Sequence, residues 1–226
     1  MKLAVLLFGM SKNHYKHWNK STYVIDYEKS CENYKHFIFD FFTRKGYDID
    51  VYFTTNPLSE TDKKQICERY KPVRHSFVEN EENFVKSRNK KLDGVVDLCI
   101  ESGITYDLIL ITRFDLLFQK EFDNSNIKLD SFNLVSILEK PHLICDNFYL
   151  FPATYLEIFS SIVKKNLNTS FHMIQEELYA ELPENSVNYI LNEYGRICDL
   201  SFYKIVKTLY VKPLYVKPNR FKLIIS

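Results

Sequence analysis

Glycine is scarce in this chain. Its 226 residues include five: Gly9, Gly46, Gly94, Gly103 and Gly195. Folds that cradle phosphates with backbone N–H groups need glycine-rich turns of the form G-x-G-x-x-G or G-x-x-x-x-G-K-[ST]. Neither pattern occurs, and the first apolar run closes on a single glycine in Phe8-Gly9-Met10-Ser11-Lys12. Dehydrogenase and methyltransferase readings are weakened accordingly. A diphosphate would have to be held by basic side chains together with a divalent metal. Cysteine is sparse and dispersed (Cys31, Cys67, Cys99, Cys145, Cys198), with no C-x-x-C pair. That argues against a structural zinc site and fits thiols kept reduced. A charge excess is also missing. Thirty Lys and Arg face 29 Asp and Glu, for a net charge of +1, so the strongly basic surface of a nonspecific nucleic-acid binder is absent. No apolar run approaches the ~20 residues of a membrane span. Residues 3–8 are short for a signal peptide and are followed by Ser11, Lys12, Asn13 and His14 without a small-residue cleavage site, so they are expected to form a first strand.

What the chain has in quantity is apolar and aromatic side chains, 46% and 15% of residues. Most aromatics fall on periodic faces and are expected in the core. Tyr27, Cys31, Tyr34, Ile38 and Phe41 recur at spacings of four and three, which predicts one helix face, with Gly46 as its stop. Residues 49–54 read as a second strand. Ser59 with Asp62 reads as a capping box before a short helix carrying Ile66 and Tyr70. Residues 73–78 form a weaker strand, 81–102 a helix stopped by Gly103, and 106–112 a fourth strand. This alternation predicts an α/β fold, with a mostly parallel central sheet flanked by helices. Further on, 134–138 and 148–151 read as strands. Thr154 and Glu157 read as a capping box for a helix to about residue 165. Residues 170–182 and 183–194 read as two more helices, the second bounded by Pro183 and Gly195.

The fourth strand ends most informatively. An aliphatic run of the kind found in doubly covered parallel strands gives way abruptly to Thr112-Arg113-Phe114-Asp115. In open α/β sheets the crevice beyond the carboxyl ends of the strands is where ligands bind. An acid there can hold a metal ion, and an arginine there can hold a phosphate.

Four segments, in order, carry a family resemblance: Ala4-Val-Leu-Leu-Phe-Gly9, Asp48-Ile-Asp-Val-Tyr-Phe-Thr-Thr55, Tyr70-Lys-Pro72 and Tyr106-Asp-Leu-Ile-Leu-Ile-Thr-Arg-Phe-Asp115. The chain resembles GT-A-type glycosyltransferases, small sugar-nucleotide-dependent enzymes of bacterial surface-glycan loci and large DNA viruses of algae. The resemblance covers roughly residues 1–160. It implies a single Rossmann-like GT-A-like domain over 1–226, with a nucleotide-binding half (1–115), an acceptor and catalytic half (116–207) and an extended basic end (208–226). It also implies transfer of a hexose from a nucleoside diphosphate sugar, a UDP- or GDP-sugar, to a glycan hydroxyl. Such enzymes usually carry Asp-x-Asp at this strand end, where the acids bind Mn²⁺ or Mg²⁺ and the metal stabilises the departing diphosphate. Here the first acid is Arg113. Asp115 either binds metal with help from another side chain, or Arg113 takes over part of the metal's electrostatic work.

The resemblance places Gly9, Ser11, Lys12, Thr54, Arg113 and Asp115 at the donor. Asp146, ahead of an aromatic strand in Cys145-Asp-Asn-Phe-Tyr149, is a candidate to bind sugar hydroxyls or to deprotonate the acceptor. His172 and Glu176 share a helix face at i and i+4. Either Glu176 or Glu177 is a candidate base, and His172 a candidate second metal ligand. His142 has a vaguer claim of the same kind. His14, His17 and Trp18 are candidates to stack on the nucleobase. Each of these positions also has an ordinary reading as a turn, a polar loop or a solvated helix face.

The end of the chain repeats itself as Leu209-Tyr-Val-Lys-Pro213 and Leu214-Tyr-Val-Lys-Pro218. Each proline bars a helix, which predicts an extended segment. Beyond Asp199 come Lys204, Lys207, Lys212, Lys217, Arg220 and Lys222 without one acid. A solvated basic tail is the plain reading, and a peripheral foot on an anionic membrane surface or on nucleotide phosphates the sharper one. The expected location is the cytoplasm, that of the host if the protein is viral. Two rival functions stand beside the enzyme: a catalytically silent nucleotide- or glycan-binding relative, and a nucleotidyltransferase.

Overall fold

The computed structural model describes residues 1–16, 22–137, 144–170, 174–183, 185–192, 203–205 and 208–210. Its centre is strand β1 (Lys2–Gly9), buried from Leu3 onward. Side chains alternate across a strand. Leu3, Val5 and Leu7 therefore enter one apolar cluster, and Ala4, Leu6 and Phe8 another on the opposite face. Only a strand covered on both sides can use such a sequence.

Two short strands, β2 (Lys12–Lys16) and β3 (Thr22–Asp26), pair as an antiparallel hairpin before the first helix. Asp26 caps α1 (Tyr27–Tyr34), accepting from the Glu28 N–H. The helix continues through a π turn (Lys35–Phe39) into α2 (Asp40–Arg44), and Gly46 closes it with φ of 82°. The predicted stripe Tyr27, Cys31, Tyr34, Ile38 and Phe41 is buried as expected, and Phe42 joins it beyond the π turn. Strand β4 (Asp48–Thr55) follows. Helix α3 (Glu60–Tyr70) is capped by Ser59 as its sequence predicts, then comes β5 (Arg74–Phe77). Helix α4 (Phe84–Ile100) covers the other face of the sheet and leads into β6 (Leu108–Arg113).

The second half contains β7 (Leu116–Phe118), β8 (Phe132–Ile137), β9 (Ile144–Pro152), α5 (Leu156–Lys165), α6 (Gln175–Glu181), β10 (Val187–Asn192), β11 (Tyr203–Ile205) and β12 (Thr208–Tyr210). The main sheet has seven strands in the order β10-β8-β9-β6-β1-β4-β5. All neighbours are parallel except β9, which runs antiparallel to both β6 and β8. The architecture is α/β, a mostly parallel sheet with helices on both faces. Among the described residues no helix is long and apolar enough to cross a membrane.

Three expectations need correction. Residues 183–194 do not form a helix: Val187–Asn192 is a strand paired with β8. Asn185 turns the chain there with φ of 64°, and a run with Val187, Tyr189 and Ile190 suits an edge strand as well as a helix. Thr154 does not cap α5. It lies in a 3₁₀ turn (Ala153–Tyr155), and the helix starts at Leu156 without a side-chain cap. The stretch after Lys12, expected as a polar loop, supplies β2. Residues 208–210 are extended as expected and pair with β3, whereas 211–226 lie outside the described residues.

Asn133 stitches the less regular half together. Its Nδ2 donates to the carbonyls of Lys128, Ser131 and Leu150 at 2.7, 2.9 and 2.9 Å. Its Oδ1 accepts from the Lys128 N–H and from Asn188 Nδ2 at 3.0 and 2.8 Å. Truncation would strand several buried polar groups at once. Asn133→Ala is expected to cost about 3 kcal/mol in urea denaturation, and Asn133→Asp nearly as much, because it keeps the shape but loses the donors.

Candidate functional site

The chain moves outward from β1 through β4 to β5, then returns to the far side of β1 for β6. The strand order reverses between β1 and β6, and ligands of open α/β sheets bind at the carboxyl end of such a reversal. Gly9 and Arg113 mark that point, with Phe8 paired to Arg113 in register. Gly9 takes φ of 95°, a conformation side chains resist. A Cβ there would meet nothing nearer than Arg113 Cγ at 4.0 Å, so the torsion rather than crowding calls for glycine.

A pocket of about 140 Å³ opens at this place. Gly9, Met10 and Arg113 form its sheet side, Ser87, Arg88 and Lys91 its helix side, and Asn80, Glu81, Glu82 and Phe84 its remaining wall. Thr112 and Phe114 flank Arg113. Phe114 is fully buried against Phe53 and Tyr70, ring centroids 5.8 and 5.6 Å away. The buried Tyr34 phenol donates to the Arg113 carbonyl. Burial first, and then the charge of Asp115, raises that phenol's pKa and keeps it a neutral donor.

Arg113 and Asp115 form a two-pronged ion pair, Nε to Oδ1 at 2.7 Å and Nη2 to Oδ2 at 2.5 Å. Asp115 is 2% exposed. The remaining Arg113 nitrogen, Nη1, donates to Asn147 Oδ1 at 2.9 Å, and Thr112 Oγ1 donates to the Asn147 carbonyl at 3.2 Å. A second pair lies alongside: Arg88 donates to Asp146, whose side chain is likewise buried. Arg88 is steadied by Asn89 Oδ1 at 2.9 and 3.2 Å. Asn89 Nδ2 reaches the carbonyls of Asn166, Leu167 and Thr169 at 3.0, 3.1 and 2.9 Å, at the end of α5. Asn166 Nδ2 in turn donates to both oxygens of Glu177, at 3.0 and 2.9 Å.

Of the donor residues expected from sequence, Gly9 and Arg113 line the pocket, and Asp115 sits behind Arg113. Ser11, Lys12 and Thr54 are engaged elsewhere. Ser11 is buried, its N–H held by Thr55 Oγ1 and Asn56 Oδ1 at 3.0 and 3.2 Å. Lys12 pairs with Asp62 of α3 at 2.7 Å. Thr54 bonds Ser76 Oγ at 2.8 Å and packs under Gly94, where a Cβ would come within 3.3 Å of its methyl. Asp146 is committed to Arg88 and Glu177 to Asn166. Glu176 is exposed on α6. His172, His142, His17 and Trp18 lie outside the described residues, and His14 falls within β2.

A divalent ion of the Mn²⁺ or Mg²⁺ kind needs several oxygen ligands converging on one point. Asp115 offers two oxygens, and both accept from Arg113. Among the described residues no group of three His, Cys, Asp or Glu side chains converges. His172, the other expected ligand, lies outside the described residues, and the fixed positive charge at the strand end is the Arg113 guanidinium.

The sequence reading missed Arg88, Lys91 and Asn147. A signal existed for Lys91: it sits four residues before Val95, on the stripe that packs α4 against the sheet. The Lys91 Nζ donates to Asn80 Oδ1 at 3.0 Å and to Ser87 Oγ and its carbonyl at 3.0 and 3.3 Å.

No protein-family model matches the chain, and no curated protein matches it in sequence. Solved structures do. A glycosyltransferase involved in the glycosylation of the major capsid of PBCV-1 aligns over 84% of this chain and 81% of its own, at 11% identity and a TM-score of 0.45. A nucleoside-diphosphate-sugar pyrophosphorylase from Vibrio cholerae RC9 aligns over 91% and 95%, at 12% identity and a TM-score of 0.48. Both are distant likenesses that assign no activity.

Breaking a buried pair leaves one charge unanswered. Arg113→Met is expected to destabilise the fold by about 3–5 kcal/mol in urea denaturation, with most of the loss recovered in Arg113→Met/Asp115→Leu. An equal loss in both variants would show that Asp115 does not depend on Arg113.

Proposed function

We propose that this chain is a glycosyltransferase that moves a hexose from a nucleoside diphosphate sugar to a glycan hydroxyl. The observation that carries the reading is the Arg113–Asp115 pair, set at the strand-order reversal beside a pocket whose helix side carries Arg88 and Lys91 and whose outer wall carries Glu81 and Glu82. The sequence resemblance supplies the reaction class. In this reading the donor diphosphate lies in the crevice beyond Gly9 and Arg113. When the sugar–phosphate bond breaks, negative charge grows on the departing nucleoside diphosphate. A guanidinium already oriented by Asp115 and Asn147 meets that charge without having to reorganise, which is where electrostatic catalysis gains most. Asp115 acts through Arg113 by fixing its plane. Asp146 does the same for Arg88. Of the three carboxylates expected as bases, Asp146, Glu176 and Glu177, Glu176 alone has no hydrogen bond or ion pair among the described residues.

Binding of UDP-, GDP-, CMP- and dTDP-sugars, followed by thermal shift with EDTA and with Mn²⁺, tests this directly. One nucleotide family is expected to stabilise the fold by roughly 2.7 kcal/mol at a hundredfold excess over Kd. The shift should survive EDTA and disappear in Arg113→Met. A shift that requires Mn²⁺ would return the electrostatic role to a metal on Asp115, with a ligand from outside the described residues. Stabilisation by no nucleotide sugar would sink the reading. Product analysis separates the rivals: a glycosyltransferase releases a nucleoside diphosphate, a nucleotidyltransferase releases pyrophosphate, and a silent binding relative releases neither.

A further inference from the structure

One cation in the crevice has no carboxylate of its own. Arg113 faces Asp115, and Arg88 faces Asp146. Lys91 is 1% exposed, stands in the wall of the same pocket, and makes no ion pair among the described residues. Its three donor contacts all go to neutral acceptors, on Asn80 and Ser87. The neighbouring carboxylates do not reach it. Glu81 is taken by Lys86 and Lys90, while Glu79 and Glu82, the latter also lining the pocket, are exposed on the segment before α4 and make no ion pair with Lys91. Across the pocket stand Arg113 with Asp115, and on its own helix Arg88 with Asp146. Burial lowers the Lys91 pKa, and the more distant Glu79 and Glu81 only oppose that effect. An ammonium group is costly to bury without a counter-charge. Keeping one beside an open pocket suits a ligand that brings the negative charge with it.

We propose that Lys91 is the anchor for the diphosphate group of the bound nucleotide, a phosphate oxygen replacing one of its neutral acceptors. This rests on the donor-site reading above and adds to it the residue that supplies the unanswered charge. The exchange is favourable because a charge-assisted hydrogen bond is stronger than a neutral one. It also couples binding to protons. In the free protein the amine gives up its proton more readily than an ordinary lysine, and the complex holds it. At alkaline pH, where the free amine has begun to lose its proton, binding therefore takes up protons, and affinity falls as pH rises toward the ordinary lysine value.

Calorimetric titration of UDP, GDP and inorganic pyrophosphate into wild type and Lys91→Met tests the assignment and separates a nucleotide from free diphosphate. Lys91→Met is expected to bind about 10- to 100-fold more weakly. Its Tm should match or exceed that of wild type, since methionine fills the space without a buried charge. Proton uptake, measured at alkaline pH in buffers of different ionisation enthalpy, should be seen in wild type and lost in the variant. Lys91→Met binding within about twofold of wild type overturns the proposal, whatever its Tm. Wild type binding none of the three ligands overturns the donor-site reading as well. A measurement on wild type alone guards against misfolding of the variant. Pyridoxal 5′-phosphate followed by borohydride should label Lys91, and pyrophosphate or the bound nucleotide should protect it. Lys91 left unlabelled, or labelled equally with and without diphosphate, overturns the proposal.

Discussion

The site depends on one constraint: two guanidinium groups are held out of water and must each be answered by a carboxylate. Arg113 is met by Asp115 two residues along the same chain, and Arg88 by Asp146 from a different strand. The first pair is local and fixes the turn after β6. The second is long-range and ties α4 to β9. Neither would hold its geometry if the backbone around it were loose. The Tyr34 phenol on the Arg113 carbonyl and the Asn89 amide on three carbonyls after α5 provide the necessary stiffness. Apolar packing builds the sheet. Amides and hydroxyls then set where the charges stand.

The first half of the fold was legible because its signals are local. The Tyr27–Phe41 stripe, the Ser59 cap, the Gly46 stop and the aliphatic β6 each report their own structure. The second half was less so because its elements are decided by pairing. Val187–Asn192 becomes a strand because β8 offers it a parallel edge, and β2 pairs with β3 through a hairpin that no two-residue turn announces. Arg113 and Asp115 could be found from sequence, since an apolar strand ending in charge is unusual in a short window. Arg88 could not, because its partner lies 58 residues away. The same distance effect hides the fates of Ser11, Lys12 and Thr54. All three are near the crevice in sequence, yet Thr55, Asp62 and Ser76 claim them first.

Asparagine has an unusual share in this architecture. Asn89, Asn133, Asn147 and Asn166 are all buried and all bridge elements. An amide can donate and accept at once, so each accommodates irregular carbonyls that a hydroxyl or a carboxylate alone would leave unpaired. That suits a sheet in which one strand is reversed and its pairing with β8 shifts register between Leu134 and Val135.

The reversed strand has a geometric consequence. Because β9 runs against β6, its beginning lies beside the end of β6, with Thr112 opposite Phe148 and Leu108 opposite Pro152. The chain thus enters the crevice at Ile144 and leaves on the far side of the molecule after Pro152. Cys145, Asp146 and Asn147, at the start of β9, therefore stand at the crevice end of the sheet. Length changes after Pro152 fall at the opposite rim, where they alter only how α5 is attached. The direction of a single strand thereby gives the two ends of β9 different surroundings, the crevice at one and the attachment of α5 at the other.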